Sequence, residues 1–149
     1  CNGILYNHES PRRGENFVTQ KIVRSAAEIA AGKKDSLELG NLDVERDWGH
    51  AKDYVKGMWQ MLQQEKPNDY ILATGETHSL KDFLSLAFEC FELDYRDFVS
   101  INKRFVRPNE PQRLCGDSTK ARNVLGWETT YSFEEIIREM CEVAVILDQ

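Results

Sequence analysis

The run Asn7-His8-Glu9-Ser10-Pro11-Arg12-Arg13-Gly14 gathers more chemically useful side chains than any other part of the chain. Asn7 carries an amide with both donors and an acceptor. His8 can donate or accept, and Arg12 and Arg13 present planar forks suited to phosphate. The run follows the apolar stretch Gly3-Ile4-Leu5-Tyr6. An apolar stretch ending in a polar, Pro- and Arg-bearing loop marks the carboxyl end of a buried strand, where open α/β sheets bind their ligands. The chemistry indicated is capture of a phosphorylated ligand.

Two further clusters point the same way. In Arg46-Asp47-Trp48-Gly49, Asp47 is placed to cap a helix and Arg46 to reach a phosphate near its start. The alternative is a surface Arg46 paired with Asp43 or Glu45, with Trp48 as a packing residue. In Arg107-Pro108-Asn109-Glu110, a Pro-stiffened loop holds a cation for phosphate and a carboxylate for a vicinal ribose diol; a solvated turn with a surface ion pair is the plainer reading. Lys21 lies on the first helix near the opening loop, where a solvated face is the default. Charge-assisted contacts contribute roughly 1.5–3 kcal/mol each, so two or three on a pyrophosphate support micromolar binding.

Recognisable reaction chemistry is missing. No GxGxxG or GxxGxxG turn occurs, and no Tyr is followed four residues later by Lys. GxSxG, HExxH and P-loop patterns are also lacking. His8, His50 and His78 have no metal-ligand spacing. The prediction is a binding chain with no catalytic residues and no metal site.

The elements that must position these residues alternate. Asn2–Tyr6 reads as a buried strand. Asn16 is placed to cap a helix carrying Phe17, Ile22, Ala26, Ile29 and Ala30. Leu37–Leu39 is a short strand before Gly40-Asn41. A helix is predicted from Asp47 to about Gln64, with Tyr54, Val55, Met58, Met61 and Leu62 inward. Tyr70–Ala73 is a second buried strand. Ser79–Asp82 and Ser132–Glu135 have the form of capping boxes opening two helices. Phe98–Ile101 is a third strand, Arg107–Pro111 a loop, and a short helix capped by Asp117 or Ser118 ends at Gly126. Strands alternating with helices predict an α/β fold. Two buried strands are too few for an independent parallel sheet.

A length of 149 residues, 41% hydrophobic and 30% charged, suits one globular domain. A net charge of −6 argues against a nucleic-acid partner. No apolar run reaches the roughly 18 residues of a membrane span, so no membrane partner is expected. Cys1, Cys90, Cys115 and Cys141 form no CxxC pair; reduced thiols in a cytoplasmic protein are the expectation, with Cys90 and Cys141 buried. The chain starts at Cys1, directly before a strand, which suggests a piece of a larger chain.

The residues lead to a resemblance. Asn7–Gly14 followed by Asn16-Phe17-Val18-Thr19-Gln20-Lys21-Ile22 resembles the GDP-mannose 4,6-dehydratase family. So do Leu39–Asp43, Arg46–Val55, Ala73–Glu76, Arg107–Glu110, Gly116–Ala121 and Leu125–Trp127, in order along nearly the whole chain. The resemblance is to the carboxyl-terminal part of those enzymes, which are extended short-chain dehydrogenases/reductases. It implies the last strands of a Rossmann-type sheet plus a small, mainly helical substrate-binding domain. Residues of about 1–15 and 50–92 would belong to the former, and about 16–49 and 93–149 to the latter. In such enzymes NADP+ takes a hydride from C4 of GDP-mannose, a proton leaves C5, water leaves C6, and the hydride returns to C6. The family's catalytic residues and Gly-rich turn precede the strand at which this chain begins, so the chain alone is predicted to be inactive. By resemblance, His8 and Arg13 match NADP-touching positions. Asn7, Lys21, Arg46, Arg107 and Glu110 match positions around the sugar nucleotide. A homo-oligomer, dimer or tetramer, is implied for the full-length protein. Asn109 replaces a commoner Thr or Ala, and the connection from Glu92 to Arg107 is shorter than in many members. A related nucleotide-sugar reductase, epimerase or dehydratase is the enzymatic alternative; a non-catalytic nucleotide-sugar-binding or assembly module is the other.

Overall fold

A computed structural model describes residues 1–147, with side chains to residue 146. The first stretch of chain forms two strands in line, β1 (Gly3–Leu5) and β2 (Asn7–Glu9). They separate at Tyr6, whose N–H still donates to the Leu72 carbonyl. β1 pairs in parallel with β6 (Tyr70–Leu72), and β2 in parallel with β5 (Trp48–His50). Between them run α1 (Val18–Ala30), β3 (Leu37–Leu39), β4 (Glu45–Arg46) and α2 (Ala51–Leu62). After β6 come β7 (His78–Ser79), α3 (Leu80–Glu89), α4 (Tyr95–Phe98) and β8 (Val99–Ile101), which pairs in parallel with β3. A 3-10 turn (Lys103–Phe105), β9 (Arg113–Leu114), α5 (Thr119–Leu125) and α6 (Phe133–Leu147) complete the order. β4 lies between antiparallel β7 and parallel β9. The α/β expectation therefore holds, with strands shorter than the apolar runs suggested.

Two cores form. The larger packs α1, α3 and α6 around Ile22, Phe83, Phe88, Ile136, Ile137 and Met140. Trp48 belongs to it, stacked on Phe133 with centroids 5.8 Å apart, as the packing reading of that residue required. Both capping boxes are present: Ser79 N–H donates to Asp82 Oδ2 at 2.8 Å, and Ser132 N–H to Glu135 Oε2 at 2.8 Å. The smaller core holds Tyr54, Met61, Tyr70, Leu72, Ala121, Leu125 and Trp127.

Several expectations are corrected. β1 is not buried, since Ile4 is 54% exposed. α2 starts at Ala51, four residues later than expected, because Asp47 to His50 first extend along β2. Its cap is His50, whose Nδ1 accepts from Lys52 N–H at 3.0 Å. That leaves Nε2 as the protonated nitrogen, which donates to Glu139 on α6. The inward face of α2 is Asp53, Tyr54, Gly57 and Met61, whereas Val55, Met58 and Leu62 are exposed. Gly57 explains the rotation. A Cβ there would come within 2.6 Å of Leu72 and 2.9 Å of Trp127, so the strand and the indole pack directly against bare backbone. Asp53 completes the face by accepting from Thr130 N–H and Oγ1. α1 has no side-chain cap, Phe17 standing at the cap position in place of Asn16. Cys141 is buried but Cys90 is exposed.

Candidate functional site: a cationic cleft at the end of β2

Strand alternation divides the opening motif between two faces. Asn7 and Glu9 face a cleft of about 1110 Å³, and His8 points to the opposite side. There His8 stacks on Tyr54, centroids 4.9 Å apart. Its Nδ1 lies 2.8 Å from the Tyr6 carbonyl, which can only accept, so Nδ1 carries the proton and Nε2 is the acceptor. Ser10 to Gly14 then turn back, and Arg13 enters the cleft while Arg12 stays exposed outside it.

Glu9 is 2% exposed and organises this end. It accepts from Thr19 Oγ1 at 2.6 Å, which ties the strand to the first turn of α1. Arg13 Nε stands 3.3 Å from the same carboxylate oxygen. Burial pushes Glu9 above the usual carboxylate range, with the Thr19 hydroxyl and the Arg13 charge pulling the other way. The Arg13 guanidinium lies 3.6 Å over the Phe17 ring. Among the described residues its terminal nitrogens make no hydrogen bond, so a fork held on two sides is open on the third.

The other end of the cleft is built on β4 and the loop after the 3-10 turn. Arg46 Nη2 donates to Glu110 Oε1 at 2.8 Å, and Nη1 to the carbonyls of Glu45 (2.7 Å) and Pro111 (3.0 Å). The partner of Arg46 is therefore Glu110, not the Asp43 or Glu45 carboxylate of the plainer reading. Arg107 stands exposed on the same rim. Lys21 reaches the cleft wall from α1, donates to the Glu38 carbonyl at 2.8 Å and lies 4.6 Å from the Phe105 ring centroid. Burial lowers its amine below the ordinary lysine value; the Lys34 charge adds to this and Glu38 opposes it. Gly40 closes the wall, since a Cβ there would stand 2.5 Å from the Phe105 carbonyl oxygen.

Asp47 does not cap α2. Its buried carboxylate accepts from Thr74 N–H (2.8 Å), Thr74 Oγ1 (2.7 Å), Gly75 N–H (2.9 Å) and Gly116 N–H (3.2 Å). It thereby fastens the segment beside Arg46 to the end of β6 and to the chain entering α5.

Of the seven candidate residues, Asn7, Arg13, Lys21, Arg46, Arg107 and Glu110 line one cleft, and His8 stands behind it. Arg104, Phe105, Phe17, Asn41 and Glu9 line it as well and were not singled out as site residues. The available signal was positional. Phe17 lies four residues after Arg13, Arg104 and Phe105 directly precede the Arg107 loop, and Asn41 follows Gly40 at the end of a strand.

The fold is that of Rossmann-type dehydrogenase, reductase and epimerase proteins. RMD from Pseudomonas aeruginosa, complexed with NADPH, superposes with a TM-score of 0.87 over 97% of this chain and 47% of that one, at 18% identity. Within that class the sequence is more specific: residues 1–140 match GDP-mannose 4,6 dehydratase, and the chain belongs to that family. It is 52% identical over 142 residues to GDP-mannose 4,6 dehydratase 1 of Arabidopsis thaliana, covering 95% of this chain and 39% of the relative. It is 45% identical over 164 residues to the human GDP-mannose 4,6 dehydratase, covering 98% and 44%. The chain thus spans about two fifths of the length of these curated relatives.

Proposed function

We propose that this chain is the sugar-nucleotide-binding part of an NADP-dependent GDP-mannose 4,6-dehydratase, a hydro-lyase that yields GDP-4-dehydro-6-deoxymannose and water. One observation carries the reading. A chain of net charge −6 places five cationic side chains (Arg13, Lys21, Arg46, Arg104 and Arg107) against two carboxylates in a single cleft. Such a local excess suits a diphosphate bound by an acidic protein. Arg46 and Arg107 take the diphosphate, Glu110 the ribose diol, and Asn7 the hexose. Lys21 adds charge to the wall. His8, whose Nε2 makes no hydrogen bond among the described residues, and the open fork of Arg13 serve NADP. A bound nicotinamide nucleotide supplies hydride transfer; the residues here bind and orient. The reading includes a homo-oligomer of the full-length protein, as a dimer or tetramer.

Calorimetric titration of the 149-residue chain with GDP-mannose and UDP-glucose tests it. Binding of GDP-mannose at micromolar to sub-millimolar concentration, with UDP-glucose weaker, is expected. A preference for UDP-glucose overturns the choice of substrate. Incubation with GDP-mannose and NADP+ is expected to give no 4-keto product, and its appearance would overturn the assignment of chemistry to residues outside this chain.

A further inference from the structure

We infer that Asn41 is a specificity residue that reads the O6 carbonyl edge of the guanine base; the inference rests on the GDP-sugar reading above. Asn41 closes an Asx turn at the end of β3, its Oδ1 accepting from Asp43 N–H at 2.9 Å. Only the oxygen can accept from a backbone N–H, so this bond fixes the orientation of the amide. The NH2 group is then the free end. Among the described residues it takes no hydrogen bond, and Asn41 lines the cleft.

The position of Asn41 along the cleft follows from its connections. Its turn is stitched to the chain just after Glu110: Glu45 N–H donates to the Gln112 carbonyl at 2.8 Å, and Gln112 Nε2 donates to the Asp43 carbonyl. Arg46 Nη1 meets the Pro111 carbonyl on the same stretch. Asn41 therefore belongs to the Glu110 end, where the ribose is held, and the group beyond a ribose is its base. Asn7, another amide of the cleft, is held on β2 in register with Trp48 and shares its strand face with Glu9, not with the Asn41 turn. Leu39 and Val44 flank the Asn41 turn along the chain, and the Phe105 backbone lies against Gly40, with the Lys21 ammonium 4.6 Å from the Phe105 ring centroid. Phe105, 45% exposed, offers a purine ring a face to stack on. A lone amide donor matches the O6 acceptor of guanine and opposes the N6 amino donor of adenine.

The test is Asn41→Asp. The aspartate keeps an oxygen for Asp43 N–H, so the turn is retained, while the donor becomes an acceptor. Thermal melts check that the variant is folded. Titrations with GDP, IDP and ADP follow. In the wild type, GDP and IDP, which share O6, are expected to bind at least about tenfold tighter than ADP, the size of one satisfied against one opposed polar group. In Asn41→Asp the added charge weakens all three, but GDP and IDP fall further, and their preference over ADP collapses or inverts. An unchanged GDP-to-ADP ratio in a folded variant overturns the role of Asn41 while leaving the GDP-sugar reading intact. If the wild type binds neither GDP nor GDP-mannose, the site assignment itself fails, and this inference with it. Should Asn41→Asp not fold, wild-type ADP binding as tight as GDP overturns the inference without a variant.

Discussion

The two hydrophobic cores are closed in different ways, and the ligand cleft goes with one of them. The larger core is covered on several sides by α1, α3 and α6, with Trp48, Phe83 and Phe133 packed ring against ring. The cleft walls grow from its margins: the first turn of α1, the end of β3, and β4. The smaller core is one-sided. α2 and α5 pack on the β1–β6 pair, while Ile4, Val55, Trp59 and Leu62 face outward. Binding residues thus stand on the margins of the larger, three-helix core. His8 alone faces the smaller core, through Tyr54. A site that must hold a charged ligand gains from such support, because each guanidinium has to keep its direction against solvent.

Asp47 joins the two halves, and removing it should break the comparison most severely. Asp47→Ala leaves the N–H groups of Thr74, Gly75 and Gly116 without their acceptor. A loss of about 3–5 kcal/mol in unfolding free energy is expected, from backbone donors left unpaired at roughly 1–3 kcal/mol each where water does not reach them. Urea denaturation with two probes, Trp fluorescence and far-UV circular dichroism, measures it. If the halves depend on this joint, the two transitions separate in the variant; coincident transitions with an unchanged midpoint would show the joint to be dispensable.

Arg46→Ala sharpens the distinction between holding the fold and holding the ligand. Arg46 closes no core, yet it fixes Glu110 and faces the cleft. GDP-mannose affinity is expected to fall by roughly 1.5–3 kcal/mol, about 10- to 150-fold, with little change in the melting temperature. A large drop in melting temperature with affinity retained would mean that the Arg46–Glu110 pair is a structural clamp.

Much of this was legible in the sequence, and the failures have physical causes. Both capping boxes, the helix ending at Gly126 and the packing role of Trp48 follow from local rules, because their partners lie within a few residues or their size demands burial. The face of α2 did not follow. Counting large apolar residues selects Val55, Met58 and Leu62, but the helix turns its glycine inward, since only bare backbone admits Leu72 and Trp127. Asp47 reads locally as a helix cap; its real partners are 27 to 69 residues away. The division of Asn7 and Glu9 from His8 was available from strand alternation. It was hidden because the motif looks like a loop, whereas β5 draws its first three residues into a parallel ladder.

Glu9 gives a gentler contrast, expressed as a slope against pH. Burial raises its folded-state pKa above the ordinary carboxyl value that it has in the unfolded chain. Between the two values the folded chain binds more protons than the unfolded one, so stability falls as pH rises through that window and stays lower above it. Glu9→Gln lacks this falling limb. Stability curves from pH 4 to 8 should therefore diverge in the variant's favour as pH rises, offset by whatever the weaker contacts to Thr19 and Arg13 cost at every pH. Parallel curves would mean that Arg13 already cancels the burial cost.

The smallest effect is expected on the open side of the smaller core. Trp59 is 62% exposed on α2, in line with Val55 and Leu62. Truncation inside the larger core, as in Phe83→Ala, costs about 3–5 kcal/mol. Trp59→Gln leaves no cavity, and the two residues have similar helix propensity, so the change in this chain should stay within about 0.5 kcal/mol. Thermal melts of the pair of variants measure the ratio directly. A cost for Trp59→Gln comparable to that of Phe83→Ala would mean that this face is buried in solution, and that the smaller core is closed on its outer side as the larger one is. A negligible cost locates the chain's cooperative stability in the half that carries the cleft.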